Sequence, residues 1–324
     1  MIRLTNIFDS IDILIEEINK TGYIIDKQFA NVLYIAYKLK KPLLISGPPG
    51  TGKSQIAVTL SKLINNVDPI RLQCYDGITA DEAMYSFNYK KQLLYMEATK
   101  GTQNWQDISS DIYSEKFLSY RPLLKSIMSD KKEILLIDEL DKTDEEFEAF
   151  LLEFLNDFQI SIPEFGTVKA KKIPFVILTS NDMRELTDAL RRRCCFYYID
   201  YPDIEKELQI VHAAVPGLTD ILATKAVAFI QKLRNADIKK APSISETIDW
   251  VNILSQMKIV DIDAETIRST INVILKYQED INSINSNLDT LVDDLPTRAL
   301  KVNKIQTSSK EQTKKLKDNT IWDF

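Results

Sequence analysis

The most constraining feature of the sequence is a glycine-rich octapeptide between a short apolar run and a helical pattern. Pro42–Ser46 (PLLIS) predicts a buried strand, and Gln55–Leu63 has helical spacing. The octapeptide fits the spacing GxxxxGK[ST], and its residues are Gly47, Pro48, Pro49, Gly50, Thr51, Gly52, Lys53 and Ser54. Backbone N–H groups of such a loop cradle phosphates. Lys53 would reach the β- and γ-phosphates of a nucleotide, and Ser54 would ligate Mg²⁺.

A second motif follows a strongly apolar run in the middle of the chain. Ile134–Ile137 (ILLI) predicts a strand buried on both faces, and Asp138 and Glu139 follow it directly. Asp138 can hold Mg²⁺ through water, and Glu139 can polarise an attacking water molecule. This pair indicates a hydrolase rather than a phosphotransferase. The later acidic residues are expected to form a solvated turn: Asp141, Asp144, Glu145 and Glu146.

A third strand pattern ends in an amide side chain. Phe175–Thr179 (FVILT) is apolar and leads through Ser180 to Asn181. A neutral amide there can hydrogen-bond the attacking water or the γ-phosphate without adding charge. Because it follows the loop and the acidic pair in this order, Asn181 is predicted to be catalytic.

The chain changes character after Tyr201-Pro202. Before this point strands alternate with helices, and Ile70–Cys74 and Phe196–Ile199 add two weaker strand patterns. Such alternation indicates an α/β fold with a parallel sheet covered on both faces. After it only helical patterns follow. The predicted organisation is an αβα domain over residues 1–205, a small all-α domain over 206–283 and a basic tail over 284–324.

Composition narrows the classes further. The 324 residues carry 41 Lys and Arg against 47 Asp and Glu, a net charge of −6, and 44% are hydrophobic. These values argue against collagen-like, disordered and polytopic membrane classes. No apolar run approaches the length of about 18 residues that crosses a bilayer. Cys74, Cys194 and Cys195 fit no disulfide framework or zinc spacing, and His212 is the single histidine, so a reducing cytoplasm is expected.

With these motifs in place, the sequence resembles the AAA+ ATPases. The motifs that carry this resemblance are GPPGTGKS, ILLIDE, ILTSN and DALRRRC. The sequence segments between these motifs resemble the MoxR branch, in particular its CoxD-like members. The segments concerned, from about Tyr23 to Asp280, are YIIDKQFANVLYIAYKLKKPLLISG, CYDGITADEAMYSFNYKKQLLYME, EKFLSYRPLLKSI, DEEFEAFLLEFLNDFQISIPEFGTV, YIDYPDIEKELQIVHAAVPGL, APSISETIDWVNIL and LKYQED.

The resemblance implies an αβα P-loop AAA+ ATPase domain, a helical lid and a ring, commonly of six subunits. In its terms the loop is Walker A, Asp138 and Glu139 are Walker B, and Asn181 is sensor 1. The cluster Arg191–Arg193 would contain the arginine finger that a subunit supplies to its neighbour. Arg193 is favoured for this role, with Arg192 as the alternative.

One departure from the family pattern concerns sensor 2. Many members carry an arginine at the start of the second lid helix, and Pro242–Glu246 has none. Ser243 or Ser245 is expected to cap this helix. Either a lysine such as Lys239 or Lys240 takes the role of sensor 2, or the lid works without a cationic sensor.

The function that the resemblance implies is ATP hydrolysis that drives chaperone-like remodelling or maturation of a protein client. The expected cofactors are ATP and Mg²⁺. The expected partners are further copies of the chain in a hexameric ring, the client, and a protein with a von Willebrand factor A domain. No membrane partner is expected, and the acidic net charge argues against nucleic-acid binding.

Two alternatives remain open. A DNA-directed motor or clamp-loader-like ATPase is favoured by the arginine cluster, and a nucleotide-dependent assembly scaffold is disfavoured by the intact Glu139. The tail, residues 284–324, has too few apolar residues to fold alone and is predicted to contain at most one short helix. Trp322 and Phe324 are predicted to dock it on a neighbouring subunit or on the partner protein.

Overall fold

The computed structural model describes residues 7–99, 111–163 and 165–300 of the chain. The chain divides into two compact units. The sheet unit comprises Gln28–Gly47 and Lys53–Ile199, and the helical unit comprises Met1–Lys27, Pro48–Gly52 and Asp200–Phe324. The chain therefore passes from one unit to the other twice within the glycine-rich loop, after Gly47 and after Gly52. The domain boundaries expected at residues 205 and 283 stay a prediction.

The sheet unit is built on a parallel sheet of five strands. The strands of the described residues are β1 Leu43–Ser46, β2 Ile70–Gln73, β3 Tyr85–Phe87, β4 Leu118–Tyr120, β5 Ile134–Asp138, β6 Gln159–Ile162, β7 Gly166–Lys169, β8 Phe175–Ser180 and β9 Cys195–Tyr198. The parallel sheet has the order β2-β5-β8-β1-β9. Every residue of β1, β5 and β8 is buried, as expected for central strands covered on both faces. The predicted α/β class and its five strands are confirmed.

Helices occur in both units. Their bounds are α1 Ile11–Lys20, α2 Lys27–Leu39, α3 Gln55–Asn65, α4 Ala80–Met84, α5 Tyr89–Ala98, α6 Pro122–Met128, α7 Glu145–Asp157, α8 Asp188–Arg193, α9 Ile204–Ala214, α10 Asp220–Arg234, α11 Ile244–Gln256, α12 Ala264–Thr270, α13 Gln278–Ser286 and α14 Leu288–Asp293. Within the described ranges, none of these helices is both long and apolar enough to cross a bilayer.

Two antiparallel hairpins are not predicted by the sequence patterns. β3 pairs with β4, and β6 pairs with β7. These strands are three or four residues long and none is buried throughout, so neither an apolar run nor a long alternation marks them. Ile160 and Ile162 of β6 nevertheless point into the core formed by α6, α7 and one face of the sheet.

The helical unit has its own core. Trp250 of α11 is fully buried against Phe229, and its indole N–H donates to the Thr270 hydroxyl at 2.8 Å. Beside them the buried Arg234 guanidinium donates two hydrogen bonds to Glu207, each of 2.7 Å. A bidentate pair of this kind satisfies both charges inside the core. The predicted all-α region after the sheet is confirmed.

Helical packing continues past residue 283. Ile284, Leu288 and Leu295 are buried in the same core as Trp250. Their apolar stripe is too short to form a core alone, and residues of α10 to α12 complete it. Residues 284–295 therefore belong to the packed helices, a contribution that the sequence pattern understates. The predicted docking residues Trp322 and Phe324 lie outside the described residues.

Candidate nucleotide site

The glycine-rich loop has a backbone that only glycine can adopt at two of its positions. Gly47 has φ +144°, and a Cβ added there would lie 2.0 Å from the carbonyl oxygen of Ile199. Gly50 has φ +73°, and its Cβ would lie 2.5 Å from Cβ of Ser243. Both positions combine a left-handed conformation with a close approach of another chain segment. The motif glycines are thus required by the fold as well as by the predicted chemistry.

Ser243 caps the N-terminus of α11, as expected from the sequence. Its hydroxyl accepts the N–H of Glu246, and the Glu246 carboxylate accepts the N–H of Ser243 at 2.8 Å. This is a capping box. The two lysines considered for sensor 2 form ion pairs within the helical unit, Lys239 with Glu279 and Lys240 with Glu246.

Lys53 lies in the sheet unit, two residues before the start of α3. The residue is 5% exposed, and Nζ donates to the Gly47 carbonyl oxygen at 2.7 Å. Burial lowers the pKa of Lys53 below its ordinary value, although the carboxylates of Asp182 and Asp141 oppose this effect. A buried ammonium group surrounded by carboxylates is suited to bind a polyanion that brings a cation with it.

Asp138 stands at the carboxyl end of β5, where two hydroxyl groups converge on one of its oxygens. The Ser54 and Thr179 hydroxyls each donate to Oδ1 at 2.6 Å. Thr179 belongs to the neighbouring strand β8, and its oxygen also accepts the N–H of Glu139 at 2.9 Å. The predicted metal residues Ser54 and Asp138, which are far apart in sequence, are therefore in direct contact.

Two side chains of the edge strand β2 form hydrogen bonds with the carboxylates of Asp138 and Glu139. Arg71 Nη2 donates to Asp138 Oδ2 and to Gln73 Oε1, both at 2.5 Å. Gln73 Nε2 donates in turn to Glu139 Oε2 at 3.0 Å. Both carboxylates of the motif are thus linked to β2, a connection that the sequence analysis missed.

Glu139 has a strained backbone and a restrained side chain. Its φ of 58° and ψ of 48° are left-handed, which is uncommon for a residue with a Cβ and is typical of functional positions. Lys142 forms an ion pair with Oε2 at 2.6 Å, and Asn181 Nδ2 donates to Oε1 at 3.4 Å. The structure thus brings together Glu139 and Asn181, the two residues predicted to act on the attacking water.

Asp141 corrects an expectation from the sequence. The acidic residues after Glu139 were expected to be solvated, and Asp144, Glu145 and Glu146 are indeed exposed. Asp141, however, is 4% exposed, and its Oδ2 accepts the N–H groups of Asn181 and Met183. The prediction was wrong for this residue because the turn after β8, distant in sequence, supplies donors that replace water.

The three arginines lie at the end of α8 and differ in their contacts. Arg193 Nε donates to Asn156 Oδ1 at 2.5 Å, and the Arg191 guanidinium lies 5.6 Å from the Phe196 ring centre. The Arg192 side chain is exposed and makes no hydrogen bond, ion pair or ring contact with another described residue. In the described part of the chain, no hydrogen bond or ion pair joins any of the three arginines to Asp138 or Glu139.

The residues at Asp138 fit a magnesium ion that arrives with a nucleotide. Mg²⁺ prefers oxygen ligands and is usually held by one or two carboxylates together with substrate phosphates and water. Ser54 and Asp138 supply a hydroxyl and a carboxylate, and Asp141 Oδ1 is buried without a hydrogen-bond partner. No group of three or more histidine, cysteine or acidic side chains in the described part of the chain could hold a metal ion alone. The described residues would thus supply part of a magnesium site.

Comparison with known families agrees with this geometry. Residues 42–194 match the model of the AAA domain of the dynein-related subfamily. The sheet unit has the AAA fold. The matched stretch is slightly less than half of the 324 residues. It contains the loop, Asp138, Glu139, Asn181 and the whole arginine cluster, Arg191–Arg193. The match supports ATP-dependent activity and does not distinguish the branches of the superfamily.

Comparisons with individual proteins add less. No curated protein matches the chain. A crystal structure of a protein from Cytophaga hutchinsonii, named provisionally as an ATPase, is 16% identical to this chain and aligns with a TM-score of 0.45. The alignment covers 86% of this chain and 85% of that one.

Several residues around the site were not found from the sequence: Arg71, Gln73, Asp141, Lys142 and Thr179. One signal was available. In β2 the long polar side chains of Arg71 and Gln73 alternate with Leu72, so that both lie on one side of a strand in a largely buried sheet. Two polar residues on one side of such a strand indicate a polar site at that side.

Proposed function

We propose that this chain hydrolyses ATP with the help of Mg²⁺. The observation that carries the proposal is the convergence of four predicted residues from separate parts of the sequence. Ser54 contacts Asp138, and the adjacent Glu139 contacts Asn181. A hydroxyl, two carboxylates and an amide in this arrangement match the needs of a bound metal nucleotide and an attacking water.

Each residue of the site has a separate role in the proposed reaction. The backbone N–H groups of the non-proline residues in the loop and the ammonium of Lys53 would bind the phosphates, and Ser54 and Asp138 would hold the ion. Bound Mg²⁺ would neutralise charge that develops on the γ-phosphate. Glu139 accepts a proton from the attacking water, and Asn181 orients that water through its amide.

We further propose that the active form is a homo-oligomeric ring, commonly hexameric in the proteins that this chain resembles. Arg193 would act on the nucleotide of a neighbouring subunit, because none of the three arginines contacts the acidic cluster of its own chain. MoxR-type remodelling of a protein client, with a von Willebrand factor A domain partner, is the form of activity that the resemblance favours. A cytoplasmic location is proposed on the basis of three free cysteines.

The first test is ATP binding and turnover by the purified chain. Lys53→Ala should weaken ATP binding at least about tenfold, the equivalent of about 1.4 kcal/mol, because the charge facing the phosphates is lost. Lys62→Ala is the matched control, since Lys62 lies on α3, the helix that follows the loop, is exposed and pairs only loosely with Asp68 at 3.7 Å. ATP affinity of the Lys53 variant within threefold of wild type would contradict the proposal.

The second test concerns assembly and the substrate class. Turnover per subunit should rise with protein concentration if neighbouring subunits complete the site. Addition of double-stranded or single-stranded DNA should leave the rate unchanged. Stimulation by DNA would instead favour a DNA-directed motor.

A further inference from the structure

Asp138 has a partner of opposite charge within its own chain. Arg71 forms the only salt bridge to Asp138 among residues 7–99, 111–163 and 165–300, with Nη2 at 2.5 Å from Oδ2. Asp138 is 2% exposed, and a buried carboxylate without a compensating charge is costly. The guanidinium of Arg71 therefore supplies the charge that compensates the buried Asp138 carboxylate.

The two partners differ greatly in exposure. The Asp138 side chain is 3% exposed, whereas the Arg71 side chain is 56% exposed. Arg71 reaches the carboxylate from the edge strand β2, and its guanidinium can turn into water without leaving a cavity in the core. Arg71 is thus a cation that can be replaced.

The carboxylate that Arg71 neutralises is also the one placed to hold a divalent ion. Its Oδ1 accepts the hydroxyls of Ser54 and Thr179, and its Oδ2 accepts Arg71. Two cations at one carboxylate repel each other, so strong binding of one weakens binding of the other.

We propose that Arg71 is the resident counter-ion of Asp138 and is displaced when a divalent ion binds there. This inference rests on the proposed function. Arg71 is a positioning residue: it holds the Asp138 carboxylate in place while no metal is bound, and competition from Arg71 lowers the affinity of the site for metal.

Displacement of Arg71 would also affect the hydrogen bonding of the Glu139 carboxylate. The same Nη2 atom donates to Gln73 Oε1, and Gln73 donates to Glu139. Loss of the guanidinium from Asp138 changes what Gln73 can bond and so changes the support of the Glu139 carboxylate. The exchange thereby links the arrival of metal to the orientation of the proposed catalytic base.

The experiment compares wild type with Arg71→Gln, which removes the charge, and Arg71→Lys, which keeps it. Arg268→Gln is the matched control, since Arg268 is 48% exposed and forms an ion pair with Asp289 at 3.0 Å. Mn²⁺ binding to each protein with ADP is followed by the electron paramagnetic resonance signal of free Mn²⁺. ADP affinity in excess chelator and the thermal midpoint without ligands are measured in parallel.

We expect Arg71→Gln to bind Mn²⁺ about tenfold more tightly than wild type, because one competing cation has gone. Arg71→Lys should stay within about threefold of wild type. ADP affinity in chelator should be unchanged for both variants. The midpoint without ligands should fall for Arg71→Gln, because Asp138 loses its counter-ion.

Three results would overturn the inference. Mn²⁺ affinity of Arg71→Gln within twofold of wild type, or weaker, would show that Arg71 does not compete with metal. Weaker ADP binding by this variant in chelator would show that the guanidinium serves the phosphates instead. Absence of nucleotide binding by wild-type protein would overturn the proposed function together with this inference, whereas the first two results leave the proposed function intact.

Discussion

The carboxylate of Asp141 accepts a hydrogen bond from the backbone N–H of Asn181 at 3.1 Å. The same oxygen accepts the N–H of Met183 at 2.9 Å. These bonds tie the turn after β5 to the turn after β8, and Asn181 presents its amide to Glu139 from that position. Asp141 therefore positions the Asn181 amide through the backbone of that turn.

Asp141→Ala should destabilise the fold and reduce turnover more than ATP affinity. Two N–H groups in part-buried hydrogen bonds would lose their acceptor, at a cost of up to about 1–3 kcal/mol for each group that stays away from water and unsatisfied. Urea unfolding and steady-state kinetics check both effects. Asp130→Ala is the control, because Asp130 is an exposed partner of Lys171 in the same unit. Equal stability of the two variants would contradict the positioning role.

Glu139→Gln should retain bound ATP and slow its hydrolysis. The amide keeps the shape of the carboxylate but cannot accept a proton, and the loss of a general base is worth about 10²–10⁴-fold in rate. Single-turnover hydrolysis and equilibrium ATP binding separate the two effects. Glu146→Gln, at an exposed position of α7, should behave as wild type. Turnover by Glu139→Gln near the normal rate would mean that another group is the base.

Arg193→Ala should bind ATP normally and lose about 10³-fold in turnover if its guanidinium acts on a neighbouring subunit. The hydrogen bond to Asn156 holds this side chain on the surface of its own chain, where it could exchange partners on assembly. Rates of the purified variant, measured at concentrations where wild type is assembled, provide the test. Arg192→Ala is measured beside it, and a comparable defect in that variant alone would reassign the role.

A mixture of two inactive proteins tests whether Arg193 acts between subunits. Lys53→Ala lacks a working loop and Arg193→Ala lacks the arginine, so an interface between them can combine an intact loop with an intact arginine. Activity should therefore recover in part when the two variants co-assemble. No recovery in mixtures that demonstrably exchange subunits would contradict action between subunits.

The buried cysteines give a prediction about pH. Burial raises the pKa of the Cys74 thiol to about 12 and that of the Cys194 thiol to about 12. The thiolate is the reactive form, so iodoacetamide at pH 8 should label Cys74 and Cys194 slowly in the folded protein and rapidly after unfolding. Mass spectrometry of the labelled peptides checks this. Labelling of native Cys74 at the rate of a free thiol would contradict its burial.

The same thiols affect stability in alkaline solution. Their folded pKa lies above the unfolded value of 9.0, so the folded state holds protons that the unfolded state releases between these values. Their contribution to stability is therefore complete below about pH 9 and declines as pH rises toward 12. Cys74→Ala should flatten this decline in urea unfolding measured from pH 8.5 to pH 10.5.

Short-range patterns determined much of this protein. The apolar run before Gly47, the runs at Ile134–Ile137 and Phe175–Thr179 and the helical spacing after Ser54 were sufficient to predict the parallel sheet. A strand buried on both faces must be apolar throughout. A loop that brings its backbone close to phosphates at the start of a helix needs glycines. Both requirements act on neighbouring residues, so they can be recognised in short stretches of the sequence. The predicted site residues Ser54, Asp138, Glu139 and Asn181 were found for the same reason.

Tertiary structure alone decided how those residues are supported. Arg71 reaches Asp138 because β2 lies beside β5, and Asp141 reaches Asn181 because β5 lies beside β8. A charged or acidic residue has the same appearance in a sequence whether it faces water or a partner 40 or more positions away. Its burial depends on strand order, which is set by long-range packing. The sequence therefore determined which reactive side chains stand at the ends of the strands. The order of the strands decided which other side chains hold those residues in place.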